Sequence, residues 1–367
     1  MPPPRVEPLA WTDPPLGEVV LPGATMRLTL GVGSGLARRP GDPPGRIWGI
    51  GDRGPNIKIA AAVQRYGLEH LRPLAGVDGA KVLPRPDLGP TLAELQVGAA
   101  GVELVRTLRL TTSDGRPLSG LPLPGSREAD MEPAFDLDGR RLPADPYGAD
   151  TEAVVALSDG SFWVAEEYGP SLLKVDAAGG VRRRWTAAGL DLPGAEAVLP
   201  ARALERRLNR GFEGLAVSAD ERRLYVGFQS ALQGAGPGST LIWTLDAQTG
   251  ALLAEHLYPF DPPASFTADE DVSQKDLKVC ELVCVGEDRL LVLERVTKSA
   301  RIYRVELSRP ALTKTLVFST DDAPEVAADL EGLALVSDRE LILATDNDFG
   351  VEGAQTCFYR LSSDAPL

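Results

Sequence analysis

FEGLAVSADERRLYVGFQSA, residues 212–231, reads as two short apolar runs joined by a polar turn and closed by a polar pair. Ser218-Ala219-Asp220 supplies tight-turn chemistry. The second run, LYVGF, is rich in β-branched and aromatic residues and too short for a helix. Four more segments repeat this hairpin: GSGLARRPGDPPGRIWGIGDRGP (33–55), TEAVVALSDGSFWVAEEYGP (151–170), CELVCVGEDRLLVLERV (280–296) and LEGLALVSDRELILATDNDFG (330–350). Self-similarity at this period signals a repeat architecture.

Between the hairpins lie weaker alternating strands: SLLKVDAAGGVRRRW (171–185), TLIWTLDAQTGALLAEHLY (240–258) and RIYRVELSR (301–309). Each hairpin therefore reads as the two inner strands of a blade, and these segments as the outer two. The expected fold is all-β, a six-bladed β-propeller forming one domain over residues 1–367. The first repeat interval is about twice the others, and Glu103-to-Leu110 with Gly115-to-Leu123 are expected to fill it with the sixth blade. The partly irregular residues 1–30, including MRLTL (26–30), are expected to close the ring on the last blade, leaving few strand edges exposed. Blade-length spacing argues against a β-sandwich or a lipocalin-like barrel. The stretch 186–211 predicts a short helical insertion near 195–210, because ARALERRL favours helix over strand.

Composition narrows the partners. The 367 residues carry a formal net charge of −14 and no Lys/Arg-rich run, which excludes tracking of a nucleic-acid backbone. Acidity favours cations, and a small-molecule substrate that is itself anionic needs a bridging cation. No stretch approaches the 18 apolar residues of a membrane span, and no signal peptide is visible at the start. Cys280 and Cys284, four apart on one strand, sit ~13 Å from each other, beyond disulfide reach. With Cys357 they read as free thiols.

The repeats align into two polar columns. Glu152, Glu213, Glu281 and Glu331, with Ser34, open the first strands; Asp52, Glu167, Gln229, Glu294 and Asp346 close the second. In an antiparallel hairpin the start of one strand lies beside the end of the next, so both columns rim one mouth of the channel. Two carboxylates ~5 Å apart repel by roughly 3 kcal/mol at an effective dielectric near 20. Protonation, interleaved Arg53 and Arg295, or a bound cation relieves this. Oxygen-only ligands suit Ca²⁺, Mg²⁺ less well, and zinc hardly at all. The plain alternative is a solvated strand end; recurrence across repeats favours a metal.

At FWVAEEYGPSLLKVD (162–176), NRGFEGLAVSADERRLYVGFQSAL (209–232), LLVLER (290–295), DLEGLAL…TDNDFG (329–350) and GDRGP (51–55), the sequence resembles the bacterial family called esterase-like activity of phytase. That resemblance implies a six-bladed propeller, often exported to the periplasm or outside the cell. Glu331-Gly332 with Asp346-Asn347 is more loosely similar to the calcium-binding elements of gluconolactonase and paraoxonase propellers. By that resemblance Glu331, Asp346 and Asn347 lead the metal ligands, followed by Glu152, Glu213, Asp52 and Glu167.

The family name implies ester hydrolysis, yet no serine-nucleophile set assembles. There is no G-x-S-x-G elbow, and the two histidines, His70 and His256, read as surface and structural residues. Metal-assisted hydrolysis of a phosphoester, ester or lactone fits better, with Glu166 or Glu167 as general base and Arg53, Arg207, Arg210 or Arg295 holding an anionic group. A ligand-binding or protein-interaction propeller with a structural calcium is the alternative. Substrate and oligomeric state are not encoded in any motif.

Overall fold

The computed structural model describes residues 4–125, 131–307 and 312–367. Its architecture is all-β and propeller-like, with five blades among the described residues. Blade 1 comprises Gly35–Ala37, Arg46–Ile50, Thr91–Val97 and Val102–Arg109. Blade 2 runs Thr151–Ala156, Phe162–Glu166, Ser171–Val175 and Val181–Ala187, with Glu196–Leu199 added in parallel at its edge. Blade 3 holds Phe212–Val217, Arg223–Phe228, Ser239–Asp246 and Leu252–Pro259; blade 4 holds Lys278–Gly286, Arg289–Arg295, Ala300–Glu306 and Thr313–Ser319. Blade 5 joins Leu330–Ser337, Glu340–Thr345 and Phe358–Ser362 to Arg5–Leu9.

The innermost strands touch their neighbours in a closed cycle, blade 1 to 2 to 3 to 4 to 5 and back to 1. The apolar cores confirm that cycle, because each of five clusters fills one gap between adjacent blades. Trp48 and Phe162 join blades 1 and 2. Trp163, Trp185, Phe212, Phe228 and Trp243 join 2 and 3. Tyr225, Tyr258 and Tyr303 join 3 and 4, Leu293 and Leu333 join 4 and 5, and Ile47 and Phe358 join 5 and 1. Burying one such side chain contributes about 1.5–3 kcal/mol. The ring is thus held by hydrophobic faces that no single blade could cover.

The sixth blade expected from the sequence is absent among the described residues. Residues 103–110 fall largely on Val102–Arg109, the outer strand of blade 1, and 115–123 make only isolated bridges. The long first interval is filled by an insertion between the second and third strands of blade 1. It contains the α-helix Ile59–Tyr66, whose Ala-rich sequence favours helix and which ends at Gly67 in the left-handed conformation (φ 68). Its buried face, with Ile59, Ala62, Val63 and Tyr66, packs on Met26 and Leu28.

Ring closure also differs in detail. Residues 5–9 complete blade 5, with Val6 opposite Leu361 and Pro8 opposite Tyr359. Thr25–Thr29 instead pairs with Pro15–Val20 in a separate ribbon. The insertion near 195–210 is a short strand followed by a 3-10 turn, Ala201–Glu205, rather than an α-helix. Pro200 begins that turn, and Arg206, donating to the Tyr168 carbonyl oxygen, leaves helical geometry at its end. The outer strands expected at 171–185 and 240–258 are present; of 301–309, residues 308 and 309 lie outside the described residues. No helix among the described residues is long and apolar enough to cross a membrane.

Strand direction segregates the connections. The hairpins between first and second strands are short, as at Leu157–Ser161. The long segments 51–90, 110–150, 188–211 and 260–277 all leave from the opposite end. That end is the mouth carrying the acidic columns, so the variable chain is concentrated there.

Candidate metal centre at the channel mouth

A β-bulge at the mouth end of each inner strand aims the first column. The ladder skips between Thr151 and Ala153, Phe212 and Gly214, Val279 and Glu281, and Leu330 and Gly332. The skipped residues are Glu152, Glu213, Cys280 and Glu331; in blade 1 Gly33 and Gly35 both bridge Ile50 across Ser34. A bulge leaves its extra residue unpaired and re-aims the side chain. The second column follows from register. Trp48, Trp163, Tyr225, Leu291 and Ile342 face equivalent positions of the inner strands, and four residues on stand Asp52, Glu167, Gln229, Arg295 and Asp346.

Blade 4 is thus shifted by one residue from the sequence alignment. Cys280 and Arg295 take the column positions, while Glu281 and Glu294 do not. Because side chains alternate with period two, the slip moves both acids to other surroundings. Glu294 accepts from the Tyr258 hydroxyl (2.7 Å) and Lys314 Nζ (2.8 Å) between blades 3 and 4. Glu281 plugs the channel. Its Oε1 accepts from the Leu215 and Leu282 amides and its Oε2 from the Leu36 amide, tying three blades together. Burial drives its pKa well upward against the pull of those amides.

Two more expected site residues are elsewhere engaged. Glu166 lies on the opposite pleat and is fully buried. It accepts from the Tyr168 amide (3.0 Å), the Gly169 amide (3.2 Å) and Ser171 Oγ (2.5 Å), and pairs with Arg184. Asn347 is also fully buried. It donates to Thr29 Oγ1 (3.2 Å) and the Leu30 carbonyl oxygen (3.1 Å), and accepts from the Phe349 amide (2.9 Å). Neither offers a free oxygen to the mouth.

The remaining acids converge. Ligand oxygens of Asp52, Asp150 and Glu152 lie within 4.8 Å of one another, as do those of Glu152, Glu167 and Glu213. On the far side, Glu213 and Glu331 approach the Cys280 thiol within the same limit. Asp150 went unrecognised because it precedes the repeat. Glu132 belongs to a connection without pattern; both emerge only as partners of Arg53.

Arg53 neutralises the first flank. Its guanidinium pairs with Asp52 (3.1 Å), Glu132 and Asp150 (2.5 Å), donates to Asn209 Oδ1 (2.6 Å), and lies 4.9 Å from the Tyr168 ring centroid. Arg295 neutralises the other, binding Glu331, Asp329 Oδ1 (2.8 Å) and Cys280 Sγ (3.1 Å). Both guanidinium groups are almost wholly buried and act as internal counter-ions, not as free anion holders.

In the middle triad only Glu167 has such a partner, at longer range. Glu167 Oε2 accepts from the Gly211 amide (3.0 Å), and its Oε1 is 3.7 Å from Arg53. Glu213 Oε1 accepts from Gln229 Nε2, while its Oε2 is buried with no hydrogen bond. Glu152 makes no hydrogen bond or ion pair among the described residues. Burial, then the charge of Glu213, raises the Glu152 pKa well above the carboxylate range; burial, then Glu167, does the same to Glu213. Burial raises Asp150 as well, with Asp52 adding to it. At Asp52 burial is outweighed, chiefly by the charge of Arg53, so its pKa falls. Asp346 is half-buried at the rim, accepting from Ser34 Oγ (3.5 Å) and the Asp348 amide (3.1 Å).

An uncharacterized secreted protein of Arthroderma benhamiae is 29% identical over 224 residues, covering 52% of this chain and 41% of that protein. The chain thus spans less than half the length of that relative. A PQQ-bound aldose sugar dehydrogenase of Streptomyces coelicolor aligns over 98% of each chain at 12% identity, with a TM-score of 0.39. A gluconolactonase of Xanthomonas campestris aligns over 99% of this chain and 98% of its own at 13% identity, with a TM-score of 0.37. Residues 29–349 match the family described as Phytase-like, esterase-like activity of phytase, and the chain belongs to that family.

Proposed function

We propose that the protein is a hydrolase whose channel mouth binds one divalent cation, calcium in preference to magnesium, between Glu152, Glu167 and Glu213. The carrying observation is that Glu152 and Glu213 of the middle triad have no ion-pair partner among the described residues. Two arginines satisfy the flanks, while Glu213 Oε2 is buried without a partner. Three carboxylates and no nitrogen or sulfur ligand form the donor set of a hard cation. Such an ion, when bound, polarises a carbonyl or phosphoryl oxygen of an ester, lactone or phosphoester. In this reading the half-buried Asp346 takes the proton of attacking water, and Arg53 and Arg295 hold the flanking acids in position. Export fits the secreted relative, and the reading takes residues 1–367 as one domain.

The test is calcium titration by calorimetry of the wild type and Glu213→Gln, with hydrolysis of p-nitrophenyl phosphate, p-nitrophenyl acetate and a δ-lactone before and after chelation. The wild type binds one calcium, the variant binds none, and chelation abolishes a turnover that calcium restores. Turnover surviving thorough chelation refutes metal-assisted hydrolysis. Calcium binding without turnover of any ester leaves the site a structural one holding blades 2 and 3 together.

A further inference from the structure

Beyond the Glu281 plug the channel continues toward the hairpin turns at the other end of the ring. There the five inner strands surround a cavity of about 410 Å³. Every blade gives it an apolar wall: Leu36, Val155, Val217, Val283 and Leu335 in ring order. The amides that bind the Glu281 carboxylate belong to Leu36, Leu215 and Leu282, which also line this cavity, so the plug forms its floor. From Leu282 to Gly286 the wall of blade 4 climbs four residues, ~13 Å at ~3.3 Å each. The long connections all leave from the opposite end.

Among the described residues only two charged side chains line the cavity, Arg38 and Glu221. Glu221 is already committed, accepting from the Ser158 amide (2.6 Å) and Ser158 Oγ (3.0 Å). Arg38 is half-buried and makes no hydrogen bond or ion pair, and its Nε is shut off from solvent without an acceptor. A second guanidinium without a partner, Arg289, lies directly on Gly286 of the wall, where an added Cβ would stand 2.7 Å from its Nη2. In a chain of net charge −14, this end of the channel therefore gathers cations that no acid of the protein answers.

A buried donor left without an acceptor is destabilising, and a carboxylate is the acceptor whose two oxygens match the guanidinium fork. An apolar pocket of about 300–1,000 Å³ with a few placed polar groups is the usual form of a small-molecule site, and one of about 150 Å³ already takes benzene. We propose that this end of the channel binds a medium-chain fatty acid, its tail directed toward the Glu281 floor and its carboxylate on Arg38 at the rim, with Arg289 adding positive charge there. A small anion without a tail gains nothing from the walls, and a cationic amphiphile meets two unpaired arginines. The site does not depend on the calcium reading, because the plug separates it from the acidic mouth.

Decanoate is the probe, titrated by calorimetry in calcium and in EGTA. One decanoate binds, equally in both. Across hexanoate, octanoate and decanoate, affinity rises about fourfold per methylene, the effect of burying one such group. Decylammonium does not bind. Arg38→Met, which keeps the apolar stem, weakens decanoate at least tenfold, the scale of one charge-assisted hydrogen bond. No decanoate binding, equal binding of decylammonium, affinity flat with chain length, or an Arg38→Met variant that binds as the wild type does overturns the proposal. Binding that requires calcium places the carboxylate at the acidic mouth and overturns it as well. Failure of the protein to bind calcium refutes the previous section alone, since the titrations in EGTA still decide this one.

Discussion

Replacing Glu213 by Gln is expected to stabilise the calcium-free protein while destroying its response to calcium. The oxygens of Glu152, Glu167 and Glu213 lie within 4.8 Å of each other. At an effective dielectric near 20, one such pair repels by about 3 kcal/mol. The cluster relieves part of this by taking up protons, so one pair rather than two is counted. With roughly 0.8 kcal/mol per kelvin of unfolding entropy for 367 residues, that repulsion amounts to about 4 °C in Tm. Gln229 still has an oxygen to donate to in the variant, so no hydrogen bond is lost. The gain depends on pH with a definite sign. Glu152 and Glu213 have folded pKa values above their unfolded ones, so the native state holds more protons. Stability from these groups is therefore present in acid and lost as pH rises above the ordinary carboxylate range. Wild type and variant should melt together near pH 5 and separate by about 4 °C near pH 8. Calcium at a hundred times its Kd adds about 2.7 kcal/mol to the wild type alone. Calorimetric scans with EGTA or calcium at several pH values measure all of this. A variant that melts below the wild type in EGTA at pH 8, or a wild-type Tm that climbs between pH 5 and 8, refutes the reasoning.

Arg53→Met leaves Asp52, Asp150 and Glu132 around a buried guanidinium site that has lost its charge, and should cost about 3–5 kcal/mol in urea unfolding. A loss under 1 kcal/mol contradicts the role of internal counter-ion. Gly33→Ala places a Cβ 2.0 Å from the Thr345 carbonyl oxygen at the contact between blades 1 and 5, and should destabilise by about 3 kcal/mol. An unchanged urea midpoint would show that this approach is looser than described.

The hairpin repeat was legible because its strands alternate and its turns carry Ser, Asp and Gly at fixed offsets. The acidic columns were legible in blades 1, 2, 3 and 5 for the same reason. Blade 4 misled, since VCELVCV offers a glutamate one residue from the column and a cysteine on it. A bulge adds one residue without any mark in composition, so Glu281 resembled its neighbours in sequence while pointing elsewhere. The blade count failed where an insertion of helix and loop separated the second and third strands of blade 1, making one blade span the length of two. Asp150 and Glu132 carry no periodic signal; only their convergence on Arg53 reveals them. Asn347 looked like a ligand by its neighbour Asp346, but it satisfies a turn and two acceptors of the 29–30 segment.

Arg5–Leu9 is hydrogen-bonded to Phe358–Ser362, the strand pairing of greatest sequence separation among the described residues. During synthesis this strand must wait, unpaired, for a partner that emerges only after the other four blades. Four blades can assemble in order, yet the circle cannot lock until Phe358–Ser362 has emerged. Deleting the first nine residues would uncover a raw β-edge on Phe358–Ser362, inviting a neighbouring molecule to donate the missing strand.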